Sequence, residues 1–285
     1  MTTKGETLSR RDERADKAPA DKPAGAMERR LVVGWVLAAL MSMRKFALAF
    51  GIVFLWEAAS RIGLININLF PAPSSVLAAI VHLAQLGVLW ADVQASVIRV
   101  TMGFLIASAI SMTIAVILAR SDRLAEYFMP IVELLRPISV IAWIPLAILW
   151  FGLGDKPAWF IIFLGAFFPI FTNTYVGMRS VETIHLQAAE CLGAGRWLFI
   201  KEVLVPSALP FILTGMRIGL GVGWMCVIAA EMIAAQSGLG YMIQLARVLI
   251  ETERVIGGMV VIGIIGFIMN YLMLRLEQRL TPWRA

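Results

Sequence analysis

The sequence predicts an all-α, polytopic membrane protein, and two observations carry this prediction: its composition and the length of its apolar stretches. Sixty per cent of the 285 residues are hydrophobic and the mean hydropathy is +0.82. Soluble globular domains contain only about 45–50% apolar residues. A hydrocarbon core of about 30 Å is crossed by a helix of about 20 mainly apolar residues. Several stretches of this chain reach that length.

Six stretches are expected to span the membrane. They are Phe46–Ile65, Val100–Ala119, Tyr127–Phe151, Ala158–Met178, Phe211–Ala235 and Val255–Leu274. The third is interrupted by prolines. The apolar segment Leu31–Met43 would reach only about 20 Å as a helix, so it is interpreted as interfacial or as a lead-in to the first span.

The segment between the first two spans predicts a further helix outside the membrane. A turn at Phe70–Ser74 precedes apolar residues at helical spacing, and Ser74 or Ser75 is expected to be the N-cap. Such a helix would be amphipathic and would lie on the external membrane surface.

The distribution of basic residues predicts that both termini are cytoplasmic. With the N-terminus inside, the cytoplasmic side receives Arg44, Lys45, Arg120, Arg123, Arg179, Arg196, Lys201, Arg275, Arg279 and Arg284. The external side receives only Arg61, Lys156, Arg247 and Arg254, with Arg99 at a helix edge. Short cytoplasmic loops carry such an excess of Lys and Arg. The net charge of +6 therefore reflects membrane topology and does not indicate a nucleic-acid partner.

The N-terminal region is expected to form no folded domain. Residues 1–30 are rich in charged residues, Ala and Pro and show no hydrophobic periodicity, which predicts a disordered cytoplasmic tail ahead of a membrane domain over residues 31–285.

The absence of several motifs limits the function classes. The chain contains no GxxxxGK[ST] phosphate-binding loop, and neither HExxH nor GxSxG occurs. We therefore expect no ATP site, no metal site and no enzymatic activity in this chain. A self-contained secondary transporter remains an alternative, which would require an inverted repeat and ionisable residues near the bilayer midplane.

A polar segment between the fourth and fifth spans indicates a docking element. It contains Gln187-Ala188-Ala189-Glu190, then Gly193-Ala194, and ends with Val203-Leu204-Val205-Pro206. Ala is a strong helix former, and glycine readily adopts the left-handed conformation that ends a helix. Pro206 and Pro210 are expected to break the chain before the next span. An ordinary cytoplasmic loop is the simpler alternative.

This spacing resembles the EAA loop of bacterial ABC-importer permeases, with Gln187 in place of the leading Glu and valines at Val203 and Val205 in place of other aliphatic residues. In that family the loop, here about residues 180–206, docks on a cytoplasmic ATPase subunit.

Further motifs resemble the permeases of the nitrate, sulfonate, taurine and bicarbonate importers: Leu135-Arg136-Pro137-Ile138, Trp150-Phe151-Gly152-Leu153-Gly154, Leu213-Thr214-Gly215-Met216-Arg217 and Ala229-Ala230-Glu231-Met232. The last of these, with Leu280-Thr281-Pro282-Trp283, is most similar to the taurine and alkanesulfonate branch.

The resemblance implies a type I importer fold and a set of partners. Two permease copies would form the pathway in the bacterial inner membrane, and two ATPase subunits would bind ATP and Mg²⁺. A periplasmic or lipid-anchored binding protein would deliver a small anion. A sulfonate such as taurine is the expected solute, with nitrate or bicarbonate as the alternative. Whether the second permease is an identical copy or a paralogue stays open.

Several residues are candidates for lining the pathway. Ser139 and Trp143 lie in the proline-interrupted third span, whose freed backbone groups must be satisfied by protein or by a water-filled cavity. Asn173 offers uncharged hydrogen bonds, and Arg217 and Glu231 are ionisable residues of the fifth span, which are costly in a membrane and indicate function. Burial in helix packing is the alternative for Ser139 and Trp143, and hydrogen bonding between helices is the alternative for Asn173. For Arg217 the alternatives are extension of the side chain to the lipid head groups or pairing with a carboxylate.

Gly215, Gly219 and Gly223 recur every four residues in the fifth span. They form one helix face without side chains, which permits a close helix contact. We expect this face to join a neighbouring span or a second copy.

Overall fold

The computed structural model describes residues 47–48, 50–63, 66, 69–180 and 204–282. These residues form helices and their connections, with no strand among them, which confirms the all-α prediction. Helix α1, residues 50–61, belongs to a compact unit of residues 1–62, and all other helices belong to the unit of residues 63–285. The expected tail, Leu31–Met43 and residues 181–203 lie outside the described residues.

Eight helices and one 3-10 helix follow α1 in the described part of the chain. They are α2 (Pro73–Gln85), α3 (Val88–Ala119), α4 (Asp122–Leu135), the 3-10 helix (Val140–Trp143), α5 (Ile144–Phe151), α6 (Asp155–Arg179), α7 (Val205–Ala234), α8 (Leu239–Val248) and α9 (Thr252–Leu280). Helices α3, α6, α7 and α9 are each long and apolar enough to cross a membrane. Helix α4 and residues 140–151 together form a fifth candidate span. These five match the second to sixth predicted spans.

Helix α6 lies at the centre of the fold, between α3 and α7. Ile161, Ile162 and Ile170 of α6 are fully buried. On the α3 side, a Cβ added at Gly103 would lie 2.7 Å from Cβ of Ile162, so the two helices could not approach this closely with any larger residue there. The α3, α6 and α7 helices therefore form an interlocked core.

The glycine face of α7 packs against α6. A Cβ at Gly215 would lie 2.7 Å from Cβ of Asn173, and one at Gly219 would lie 2.8 Å from Cγ1 of Ile170. Gly223 faces Ile162 in the same way, at 3.3 Å from its Cγ2. In the described structure this face thus joins two neighbouring spans of one chain.

Two expectations about helix starts are wrong. Helix α2 begins at Pro73 with Ala72 as its N-cap, so neither Ser74 nor Ser75 caps it. Pro206 and Pro210 do not precede the fifth span, because α7 begins at Val205 and includes both. The first N–H groups of a helix have no intrahelical partner, so Pro206 in the first turn loses no hydrogen bond, whereas Pro210 lies further inside α7 without ending it.

The third predicted span is two helices joined at a sharp bend. Pro130 lies inside α4 without interrupting it, whereas α4 ends before Arg136-Pro137, and the following segment leaves at 89°. Pro137 cannot continue the helical hydrogen bonding and disfavours helical geometry at the preceding residue. Helix α5 then starts with Pro145 in its first turn.

Two features were not predicted. Helix α3 starts at Val88, twelve residues before the apolar stretch that begins at Val100, and α8 occupies a segment expected to be a loop. Both are stabilised by polar residues that are buried inside the protein. A search for apolar runs cannot detect such residues.

Candidate functional site

A buried ionic cluster forms where α6 begins and α7 ends, and its central residue is Arg99 of α3. The Nε of Arg99 donates to Oδ1 of Asp155 at 2.6 Å, and its Nη1 donates to Oε1 of Glu231 at 2.8 Å. Nη1 also donates to the carbonyl oxygen of Ser237 at 2.7 Å, and Nη2 donates to the Ser237 hydroxyl at 2.7 Å. The planar guanidinium therefore connects three separate parts of the chain.

Glu231 is enclosed entirely by protein donors. Its side chain has 0% exposure, although the residue is a carboxylic acid in a membrane-spanning helix. Besides Arg99, the Ser96 hydroxyl lies 2.8 Å from both carboxylate oxygens, and the Gly240 N–H donates to Oε2 at 2.9 Å. A buried carboxylate is tolerated only when it is paired and hydrogen-bonded in this way.

The same cluster holds the N-terminus of α8. The Gly238 N–H donates to Oδ1 of Asp92 at 2.8 Å, and the Leu239 N–H donates to the Ser96 hydroxyl at 2.9 Å. With the Gly240 bond to Glu231, three N–H groups at this helix start find side-chain acceptors. These N–H groups lack intrahelical partners and carry partial positive charge, so carboxylates stabilise them.

Gly238 is required by this arrangement for two reasons. Its φ is +109°, which disfavours any residue with a side chain. A Cβ at this position would also overlap the carboxylate of Glu231. The turn that leads from α7 into α8 can therefore approach Glu231 only with glycine here.

Asp155 forms the open edge of the cluster. Its side chain is 54% exposed, compared with 7% for Arg99. Together with Gly154, Gln236 and Ser237, these two residues line a cavity of about 270 Å³. Arg99 already faces two carboxylates, so the cavity offers no excess positive charge to an anion. The ion pairs and hydrogen bonds of the cluster instead connect α3, α6, α7 and α8 at one end of these helices.

Ser139 and Trp143, both candidates for the pathway, lie at the bend between α4 and α5. Ser139 is exposed and precedes the 3-10 helix, where its carbonyl accepts the Ala142 N–H at 3.0 Å. Trp143 is half-buried and packs against the apolar cluster that contains Ile144 and Ile161. These two residues are thus close in the chain and lie where regular backbone is interrupted.

Asn173 and Arg217 lie elsewhere. The side-chain amide of Asn173 donates to the Pro169 carbonyl at 2.8 Å, within α6. Nη1 of Arg217 lies 3.3 Å from Oε2 of Glu277 in α9, an ion pair of the kind that the sequence left open as an alternative. The structure therefore does not bring the five pathway candidates together in one place.

The predicted coupling residues are mostly outside the described residues. This holds for Gln187, Ala188, Ala189, Glu190, Gly193, Ala194 and Val203, so their docking role stays a prediction. Pro206 is described and lies in the first turn of α7. Among the described residues, no group of His, Cys, Asp and Glu side chains is arranged to hold a metal ion.

Arg99, Asp155, Asp92 and Ser96 were not predicted as site residues. The sequence does contain a signal for three of them, because the polar residues Asp92, Ser96 and Arg99 have the spacing that places them on one face of a helix. The apolar stretch was taken to begin at Val100, so these residues were assigned to a loop and a helix edge. Pairing of Arg99 with Glu231, 132 residues later in the chain, has no counterpart in local sequence.

Comparison with known sequences identifies a protein family that matches this chain. The profile described as "Binding-protein-dependent transport system inner membrane component" matches residues 109–284. The taurine transport system permease protein TauC of Escherichia coli is 35% identical over 262 residues, covering 90% of this chain and 95% of that protein. The putative aliphatic sulfonates transport permease protein SsuC of Bacillus subtilis is 32% identical, covering 82% and 84%. The nitrate import permease protein NrtB of Leptolyngbya laminosa is 30% identical, covering 69% and 70%.

Comparison with solved structures gives the same fold. A chain of the MetNI methionine ABC transporter in an inward-facing conformation matches with a TM-score of 0.61 at 18% identity. The match covers 70% of this chain and 98% of that chain. The expected type I importer permease fold is thereby confirmed.

Proposed function

Because the chain belongs to the family of inner-membrane components of binding-protein-dependent transport systems, we propose that it imports a small anionic solute, a sulfonate such as taurine. As a member of this family it is a permease subunit of an ABC importer and a component of the inner membrane.

Similarity to the taurine permease is the observation that carries the choice of solute. It extends over 90% of this chain at 35% identity, whereas similarity to the nitrate permease extends over 69% at 30%. The Bacillus subtilis relative named for aliphatic sulfonates supports the same chemical class at 32% identity. A nitrate or bicarbonate importer is the second candidate, favoured by the nitrate relative.

The proposed partners follow from the family and from the EAA-like segment. A second permease copy, two ATPase subunits that bind ATP and Mg²⁺, and an external solute-binding protein would complete the importer. Residues 187–206 would dock on the ATPase from the cytoplasmic side, where both termini of this chain would also lie. Movement of this segment would reach α7 directly, because Pro206 lies in the first turn of that helix.

The ionisable residues of the spans support a role in holding helices together. Arg99 pairs with Glu231 across α3 and α7, and Arg217 pairs with Glu277 across α7 and α9. Each of these pairs connects two helices of this chain, which fits a structural role. A self-contained secondary transporter would use ionisable groups to couple transport to an ion gradient, and family membership favours the importer.

Reconstitution tests the proposal. The chain would be placed in proteoliposomes with the proposed ATPase and solute-binding protein partners, and uptake of labelled taurine, ethanesulfonate, nitrate and bicarbonate would be measured with ATP inside. We expect ATP-dependent uptake of the sulfonates alone. Uptake of nitrate or bicarbonate instead would contradict the choice of solute, and uptake by this chain without its partners would contradict the importer mechanism.

A further inference from the structure

An apolar crevice of about 600 Å³ lies between α3, α4 and α6. Every side chain that lines it is aliphatic or phenylalanine, including Ile114 and Ile117 of α3, Phe128 of α4 and Phe167 of α6. The crevice is open to the surface, since Ile117 is 50% exposed and Phe128 is 49% exposed. Such a surface in a membrane protein is suited to hydrocarbon, and the crevice has the volume to hold an acyl chain.

Basic residues lie at one end of this crevice. The α3–α4 corner carries the exposed side chains of Arg120 and Arg123, which flank the lining residues Leu118 and Leu124 in sequence. Neither arginine forms an ion pair within the part of the chain that the structure describes. They therefore leave two guanidinium groups available beside the apolar crevice.

The other charges at this corner do not cancel the two arginines. Arg179 is paired with Asp122 at 2.7 Å, and Glu126 is the remaining carboxylate on the first turns of α4. Three guanidinium groups thus face two carboxylates, which leaves a net positive charge. A basic site at the end of an apolar groove between membrane helices is the arrangement that recognises the head group of an anionic lipid.

We propose that the crevice is a binding site for one anionic phospholipid. An acyl chain fills the space between α3, α4 and α6, and the phosphate lies at Arg120 and Arg123. The apolar lining supplies affinity for any lipid chain, and the two guanidinium groups supply the preference for negative charge. The lipid would pack α4 against α3 and α6.

Native mass spectrometry of the purified full-length chain tests this site. The protein, in mild detergent, would be incubated with equal amounts of phosphatidylglycerol and phosphatidylcholine. We expect one phosphatidylglycerol per chain to be retained with a preference of roughly tenfold over phosphatidylcholine, because each arginine near an anionic head group adds to affinity. Equal retention of the two lipids would overturn the proposal.

Two pairs of variants test separately the contact with the head group and the contact with the acyl chain. The double variant Arg120→Gln/Arg123→Gln should lose the preference, whereas Arg275→Gln/Arg279→Gln should keep it. The control removes the same charge from exposed arginines of α9. Ile117→Trp should reduce retention of either lipid by filling the crevice, whereas Ile98→Trp should not. Ile98 is 51% exposed on the same helix but does not line the crevice.

The same mass spectra would show whether a protein, instead of a lipid, occupies the crevice or the basic corner. If Ile117→Trp leaves lipid retention unchanged but abolishes a dimer peak, a second copy of this chain fills the crevice and the lipid site is wrong. If Arg120→Gln/Arg123→Gln leaves lipid preference unchanged but prevents binding of the ATPase subunit, the corner is a protein contact and the lipid site is also wrong.

Discussion

The guanidinium of Arg99 lies 2.8 Å from the carboxylate of Glu231, and both side chains are shielded from solvent. The two residues come from α3 and α7, which flank the central helix α6. Because Glu231 also accepts the Gly240 N–H, this ion pair links the core to the start of α8. We infer that the pair fixes the relative position of these helices at this end of the permease.

Removal of Glu231 should strongly destabilise the protein. Glu231→Ala leaves Arg99 buried with the half-exposed Asp155 as its remaining salt-bridge partner, and breaking a buried ion pair from one side costs about 3–5 kcal/mol. Denaturation of the purified protein in mixed micelles would measure this loss. Asp122→Asn is the control, because its pair with Arg179 is exposed and such pairs contribute about 0–1 kcal/mol. Equal stability of Glu231→Ala and wild type would contradict the structural role.

Removal of Asp155 should cost much less than removal of Glu231, although both contact the same guanidinium. The side chain of Asp155 is 54% exposed, so water screens and replaces its interaction. We expect Asp155→Asn to lower the free energy of unfolding by at most about 1 kcal/mol. The same denaturation assay checks this ranking, and a loss as large as that of Glu231→Ala would show that exposure does not decide the strength of these two contacts.

A methyl group at Gly215 should disturb the contact between α6 and α7. The new Cβ would lie 2.7 Å from Cβ of Asn173 and 3.1 Å from the Pro169 carbonyl oxygen, so the helices must move apart. Overpacking of this kind costs about 1–3 kcal/mol.

Gly221→Ala is the matched control for Gly215→Ala. It lies in the same helix, and a Cβ there would have no neighbouring atom within 4 Å. Alanine is favoured over glycine in a helix by about 0.5–1 kcal/mol, so this variant should be slightly more stable than wild type. If both variants behave alike in thermal unfolding, the close α6–α7 packing is not what requires glycine at Gly215.

Gly193→Pro should uncouple the permease from its ATPase. The residue lies in the EAA-like segment, where proline cannot adopt the left-handed backbone conformation expected of glycine. We expect the variant to insert in the membrane in normal amounts while the reconstituted complex loses solute-stimulated ATP hydrolysis. Stimulation equal to that of wild type would argue against docking through this segment.

Local sequence predicted structure correctly where one physical requirement, such as burial in lipid, applies to a run of neighbouring residues. The need for about 20 apolar residues per span located α6, α7 and α9 with ends within six positions of those in the structure. The four-residue spacing of Gly215, Gly219 and Gly223 marked a contact face before its partner helix was known. Prolines were less informative, because Pro130 and Pro210 lie inside helices without ending them, whereas α4 ends before Pro137, and the local sequence does not distinguish these cases.

The sequence by itself determined the fold class, the approximate positions of the spans and the family, because hydropathy and motif spacing are local properties. Only the tertiary structure decided the partners of Arg99, Glu231 and Gly238, and the 89° bend after α4. The physical reason is that burying a charge is unfavourable until a distant part of the chain supplies its counter-charge and hydrogen bonds. That compensation exists only once α3, α6, α7 and α8 have come together.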